Sequence, residues 1–373
     1  MKIIQKKFTS QKGWETIRND NFDLVKCNLV IAFGTMPELY TILKNDFPNA
    51  TILINTTAGE IIDTQVNENS ISLTGIFFEK TVIKTSAVDI NKVKNSYEAG
   101  VELAEGIEKE GLKNIFVISD GQKVNGSDLV LGLQKTLPTG TIITGGLAGD
   151  GASFKRTLVG LNESPVEGRI AIIGFYGDGL IIKYGSYGGW DSFGPERLIT
   201  KSKANVLYEL DGKPALDIYK MYLGEYASEL PSSALLFPLS IRSDENNSLV
   251  RTILSVNEDE KSLTFAGNMP EGYYSRLMKA NFDRLIEGAS TAAQNTIDNN
   301  NIKPDLAILI SCIGRKLVLN QRVEEEVEEI RAIYGDKTAI TGFYSYGEIS
   351  PAFNFLKCEL HNQTMTITTF TER

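Results

Sequence analysis

Residues 141–150 read TIITGGLAGD. An apolar run passes into glycines and ends on a Gly–acid pair, Gly149–Asp150. Residues 51–60, TILINTTAGE, and 339–348, AITGFYSYGE, do the same, ending on Gly59–Glu60 and Gly347–Glu348. Each apolar run has the length and β-branched content of a strand. The glycine admits a positive φ or a close backbone approach, and the acid follows it. A Gly–acid pair is by itself an ordinary turn. What argues for repetition is that all three occupy the same place in the order of elements.

That order is visible on either side. The first copy has a strand at 29–33, a Pro-started helix at 37–47, the strand at 51–55 and another at 70–78. The second has a strand at 115–119 and a helix at 126–136, then strands at 141–144 and 169–176. The third has strands at 306–311 and 339–341 around a helix at 322–334, and a closing strand over 359–370. The stretch between the second and third copies breaks the pattern. Residues 185–194 form a Gly–aromatic loop, followed by a strand at 202–210 and a helix from Pro214 to about 226. Strands follow at 235–241, 250–256 and 262–266, then a long helix over 273–297. The expectation is a mixed α/β protein. Pseudo-repeated strand–helix–strand–strand units build mixed sheets flanked by helices, in two lobes. The boundary falls near 185–197, giving domains 1–190 and 191–373.

Composition narrows the chemistry. The chain has 373 residues, a net charge of −9, one histidine and three cysteines. The acidic balance argues against sequence-independent nucleic-acid binding, which needs clustered cations. A multi-His metal site is impossible in one chain, and Cys27, Cys312 and Cys358 form no C-x-x-C pair, so no metal is expected. Any catalytic triad with a histidine must use His361. Sparse, odd cysteines suit a reducing compartment. No apolar run approaches the roughly 20 residues of a membrane span, and residues 1–8 lack the apolar stretch of a signal peptide. The expected location is the cytoplasm, without membrane insertion.

Several motifs, taken in order, carry a resemblance. SCIGRKLVL from Ser311, TGFYSYGEISP from Thr341 and CELHNQTMT from Cys358 resemble the C-terminal half of the FIST family. GGLAGDG, GRIAIIGFYG, GGW and VLYELDGKPALDIYK resemble its N-terminal half and the join. The likeness runs from about residue 29 onward and implies a FIST N-terminal domain followed by a FIST C-terminal one. It implies an intracellular sensory module of signal transduction, not an enzyme. The implied ligand is a small molecule such as an amino acid. A separate partner, such as a histidine kinase or a cyclic-di-GMP enzyme, would carry the output. It also offers an alternative, a haem-binding nitric-oxide sensor using His361 as iron ligand.

Candidate ligand residues follow from placement at strand ends, where ligands gather in open α/β sheets. Asp120, Asp150 and Glu348 are carboxylates suited to an ammonium or hydroxyl, or else helix caps and turn residues. Gly146 belongs to a glycine run that exposes backbone N–H groups but completes no nucleotide motif. Arg315 suits a carboxylate in bidentate fashion, or an internal salt bridge with Glu348. Trp190, Tyr344 and Tyr346 supply aromatic surface for a pocket, or for the core. Cys312 follows a strand where a nucleophile of a cryptic enzyme would sit, and Arg315 beside it would activate it; the alternative is an inert buried thiol.

Overall fold

The computed structural model describes residues 1–244, 248–297, 302–352 and 357–373. The three repeats are present, and each founds its own six-stranded mixed sheet. In the first, Leu29–Phe33 pairs in parallel with Thr51–Asn55 and antiparallel with Ser70–Phe77. In the second, Leu112–Ser119 pairs in parallel with Ile142–Leu147 and antiparallel with Arg169–Tyr176. In the third, Leu306–Cys312 pairs in parallel with Ala339–Ser345 and antiparallel with Met365–Glu372. The parallel pair needs a crossover, and a helix supplies it each time. These helices are Leu39–Asp46, Gly126–Thr136 and Val323–Tyr334.

Each sheet is then extended on both sides. On one side stands the strand that precedes the repeat: Lys2–Thr9, Val82–Asp89 or Leu180–Tyr187. On the other stands a short strand donated by a different repeat. Glu60–Ile62, from the first turn, pairs with Ala339–Ser345 in the third sheet. Val159–Leu161, following the second turn, pairs with Thr51–Asn55 in the first. Gly347–Pro351, from the third turn, pairs with Ile142–Leu147 in the second. The exchange is cyclic, so no sheet is built from one repeat alone.

The three founding strands of each sheet are buried on both faces, and alternation decides which core each side chain joins. Phe116 and Ile118 face a core shared by all three sheets, with Phe33, Ile173, Ile310 and Phe343. Phe33 and Phe343, from the first and third sheets, have ring centroids 4.8 Å apart. Ile115 and Val117 point the other way, against Leu103, Leu129 and Leu133 of the covering helices.

The second lobe follows Trp190. It is an eight-stranded sheet, with the long strand Asp191–Lys203 central, and it has its own core around Leu207, Tyr219, Phe265 and Leu277. The helix expected over 273–297 is shorter. Tyr274–Lys279 is a strand between Leu239–Arg242 and Asp191–Lys203, and the helix is Phe282–Gln294. Asn281 caps it, its side-chain carbonyl accepting from the Arg284 N–H at 3.3 Å. The closing strand expected at 359–370 is two, Cys358–His361 and Met365–Glu372, broken by a turn at Asn362 and Gln363. Among the described residues, no helix is long and apolar enough to cross a membrane.

Candidate functional site

A cavity of about 1150 Å3 lies where the lobes meet. Its floor begins where Leu180–Tyr187 runs out into Gly188, Gly189 and Trp190. This loop lies directly on the helix Phe282–Gln294. A Cβ at Gly189 would stand 2.0 Å from the Arg284 carbonyl oxygen, and φ there is +84°, so only glycine fits. The helix presents Arg284, Glu287, Gly288 and Thr291 to the cavity, the spacing of one helical face. Glu359 and His361, alternate residues of Cys358–His361, form a second wall with Lys357 before them. The second lobe closes the space with Ile241, Leu249, Val250, Tyr273 and Met278.

His361 is held in one tautomer. Its Nε2 lies 3.0 Å from the Ser350 carbonyl oxygen, which can only accept, so Nε2 carries the proton and Nδ1 the lone pair. Burial lowers its pKa to about 4, and the ring is neutral at pH 7. Trp190 is 8% exposed, and its indole N–H donates to the Gln363 carbonyl at 2.8 Å.

Of the residues singled out in the sequence, Trp190 and His361 line this cavity and the others do not. Asp120 is buried in its turn, accepting from the N–H groups of Gln122, Lys123 and Gly168 at 2.7–2.8 Å. Gly146 packs against Ile310 and the Gly347 carbonyl. Asp150 accepts from the Tyr346 hydroxyl and from the N–H groups of Lys155 and Arg156. Phe154 stacks on Tyr346 with centroids 4.6 Å apart. Arg315 is wholly buried, and its acid partner is Glu326 at 2.9 Å, not Glu348. It also donates to the carbonyls of Gly188 and Leu285, holding the cavity floor from beneath. Glu326 accepts in addition from Ser311 and from Tyr344 at 2.6 Å. Glu348 is wholly buried, accepting from Ser345 at 2.6 Å and from the N–H and hydroxyl of Thr364. Thr364 in turn lines the cavity, so Glu348 stands one layer behind its wall.

The three turns do converge. The Ala58 N–H donates to the Tyr344 carbonyl, the Gly149 N–H to Thr56, and the Tyr346 N–H to Leu147. They form a packed knot joining the sheets. Residues the sequence reading passed over include Tyr187, Met278, Arg284, Glu287 and Glu359. They come from separated segments, and no local pattern links them.

Two chemistries find no fit. Haem iron held through Nε2 needs that nitrogen unprotonated and free, and here it is the donor to Ser350. Nδ1 stands beside Cβ, the crowded position of the ring. The arrangement therefore does not fit haem on Nε2 of His361. Cys312 is 2% exposed, and burial raises its thiol well above the usual range, which suppresses the thiolate a nucleophile needs. Among the described residues, no cluster of three His, Cys, Asp or Glu side chains is placed to hold a metal ion.

Comparison of the sequence with known families finds a class of domains associated with small-ligand sensing in signal transduction. The chain belongs to the FIST family: the FIST N domain matches residues 28–213 and the FIST C domain residues 215–351. The family is associated with small-ligand sensing. A relative is the uncharacterized protein MJ1623 of Methanocaldococcus jannaschii, 26% identical over 216 residues. That match covers 54% of this chain and 40% of the relative.

Proposed function

We propose that this chain is a sensory module that takes a small metabolite into the interlobe cavity and signals through a separate partner protein. The observation that carries the reading is the cavity itself, walled by both lobes and lined by Trp190, Met278 and His361. A ligand touching both lobes has different affinities for different lobe arrangements, which is the requirement for shifting them. A histidine kinase or a cyclic-di-GMP enzyme is the partner class that family resemblance suggests. Amino acids are the first ligands to try. The volume exceeds the roughly 300–1,000 Å3 of ordinary small-molecule sites, so a larger metabolite fills it better.

The test is calorimetric titration of the whole chain with a metabolite panel that includes the amino acids. Thr291→Trp, on the cavity face of its helix, fills the space. Saturable binding is expected in the wild type and at least a tenfold loss in Thr291→Trp, with the melting temperature little changed. Binding that survives unchanged in the filled variant places the ligand elsewhere and overturns the reading.

A further inference from the structure

We propose that His361 selects the ligand of this cavity by accepting a hydrogen bond at Nδ1, so that the site takes an uncharged molecule with an apolar body and an N–H or O–H donor. The inference rests on the cavity reading and names the ligand class for it. His361 lines the cavity from the strand Cys358–His361. Its Nε2 proton is engaged by the Ser350 carbonyl at 3.0 Å, which leaves Nδ1 an acceptor and nothing else. Nδ1 has no hydrogen-bond partner among the described residues, yet it is not sealed from solvent. The amides of Asn362 and Gln363, next along the chain, are sealed and stay outside the lining. Nδ1 sits beside Cβ, where a macrocycle is crowded but a single donor atom is not. A ligand that displaces solvent from such a lone pair must supply a donor or leave it unsatisfied.

Charge gives the cavity no comparable preference. On the helix, Arg284 is paired with Asp191. Glu359, two residues from His361 on the same face of the strand, is half-buried and has Arg251 and Lys357 as its electrostatic partners. Lys357 and Glu287 are exposed, where water screens them. The cations Arg251, Arg284 and Lys357 thus stand against the acids Asp191, Glu287 and Glu359, and an ionic ligand meets no excess of the opposite sign. His361 is neutral at pH 7, since burial lowers its pKa to about 4. Trp190, Met278, Leu249 and Ile241 provide apolar surface for the body of the ligand.

The chain has one histidine, so the imidazole nitrogen-15 signals of the untagged protein report on His361 alone. Two matched pairs of probes test the donor: indole against benzofuran for N–H, and 2-naphthol against 2-fluoronaphthalene for O–H. The free protein should show the Nε2-protonated tautomer. Its Nδ1 resonance should move upfield, toward the protonated position, with at least one donor probe and not with that probe's partner. Calorimetry should give that donor roughly three- to tenfold the affinity of its partner. Which pair responds tells N–H from O–H. His361→Phe should erase the difference, and if that variant does not fold, the Nδ1 shift in the wild type decides. Equal affinity within both pairs, an unmoved Nδ1, or a difference that survives in His361→Phe overturns the inference and leaves the cavity reading standing. So does a failure of all four probes to bind. Probe binding that is unchanged in Thr291→Trp overturns the cavity reading instead, and the inference with it.

Discussion

Glu348 and Glu60 show what one repeated residue becomes when the fold closes over it. Each accepts from a hydroxyl three residues earlier, Ser345 or Thr57, and from both the N–H and the hydroxyl of one later residue, Thr364 or Ser70. Neither has a cation within bonding distance among the described residues. Burial raises the pKa of Glu348 to about 8, against the pull of those bonds. Its folded value lies above the unfolded one of about 4.5, so the folded state holds the extra proton. The associated stability is present in acid and is lost as pH rises from about 4.5 to 8. His361 has the opposite sign: lowered to about 4, it adds stability as pH rises toward 6.5. Subtracting the melting curve of Glu348→Gln from that of the wild type isolates the first effect. The wild type should lose ground to the variant steadily between pH 5 and 8; a flat difference would place the carboxyl in water. Arg315 and Glu326 make a harder test of the cavity floor. Arg315→Met leaves the buried Glu326 carboxylate with only the Ser311 and Tyr344 hydroxyls and no cation, and should cost about 3–5 kcal/mol, measured by urea unfolding. Adding Glu326→Met should recover part of it, because the buried charge is gone although the Ser311 and Tyr344 hydroxyls lose their acceptor.

At the scale of elements, the legible parts were those with strong local pattern. The three ten-residue stretches combine β-branched runs with a Gly–acid turn, and each founded a sheet as read. Val82–Asp89 and Leu180–Tyr187 escaped notice because edge strands carry polar residues on their open side and lack a clean period. The merged helix at 273–297 failed for a different reason. Its first third contains Tyr, Leu and Met, which suit a helix or a strand equally, and the neighbouring strands made the choice. The cap at Asn281 was the available signal. The cavity was the least legible feature. Trp190 and His361 were found as unusual residues, yet their meeting depends on the helix, the edge strand and the second lobe arriving together. In the sequence Arg315 reads as holding a ligand carboxylate or pairing with Glu348; it does form an internal salt bridge, but with Glu326, which lies on a later helix that only folding brings beneath it.

For the whole molecule, the cyclic exchange of strands has a mechanical consequence. Each repeat completes a sheet founded by another, and the inner faces of all three share one core. Damage in one sheet should therefore be felt in the others, which sets this architecture apart from a linear array where repeats meet only neighbours. Trp14 reports on the first sheet, where it faces Phe8 at 5.3 Å. In a Trp190→Phe background it is the sole tryptophan, since the chain has two. Ile310, 1% exposed, belongs to the third sheet. Ile310→Ala removes core volume at a cost of about 2–5 kcal/mol. The Trp14 fluorescence midpoint in urea should fall by as much as the far-ultraviolet circular dichroism midpoint, with one transition in each. If the Trp14 midpoint stays where it was while the dichroism midpoint drops, the sheets unfold separately and the exchanged strands do not couple them.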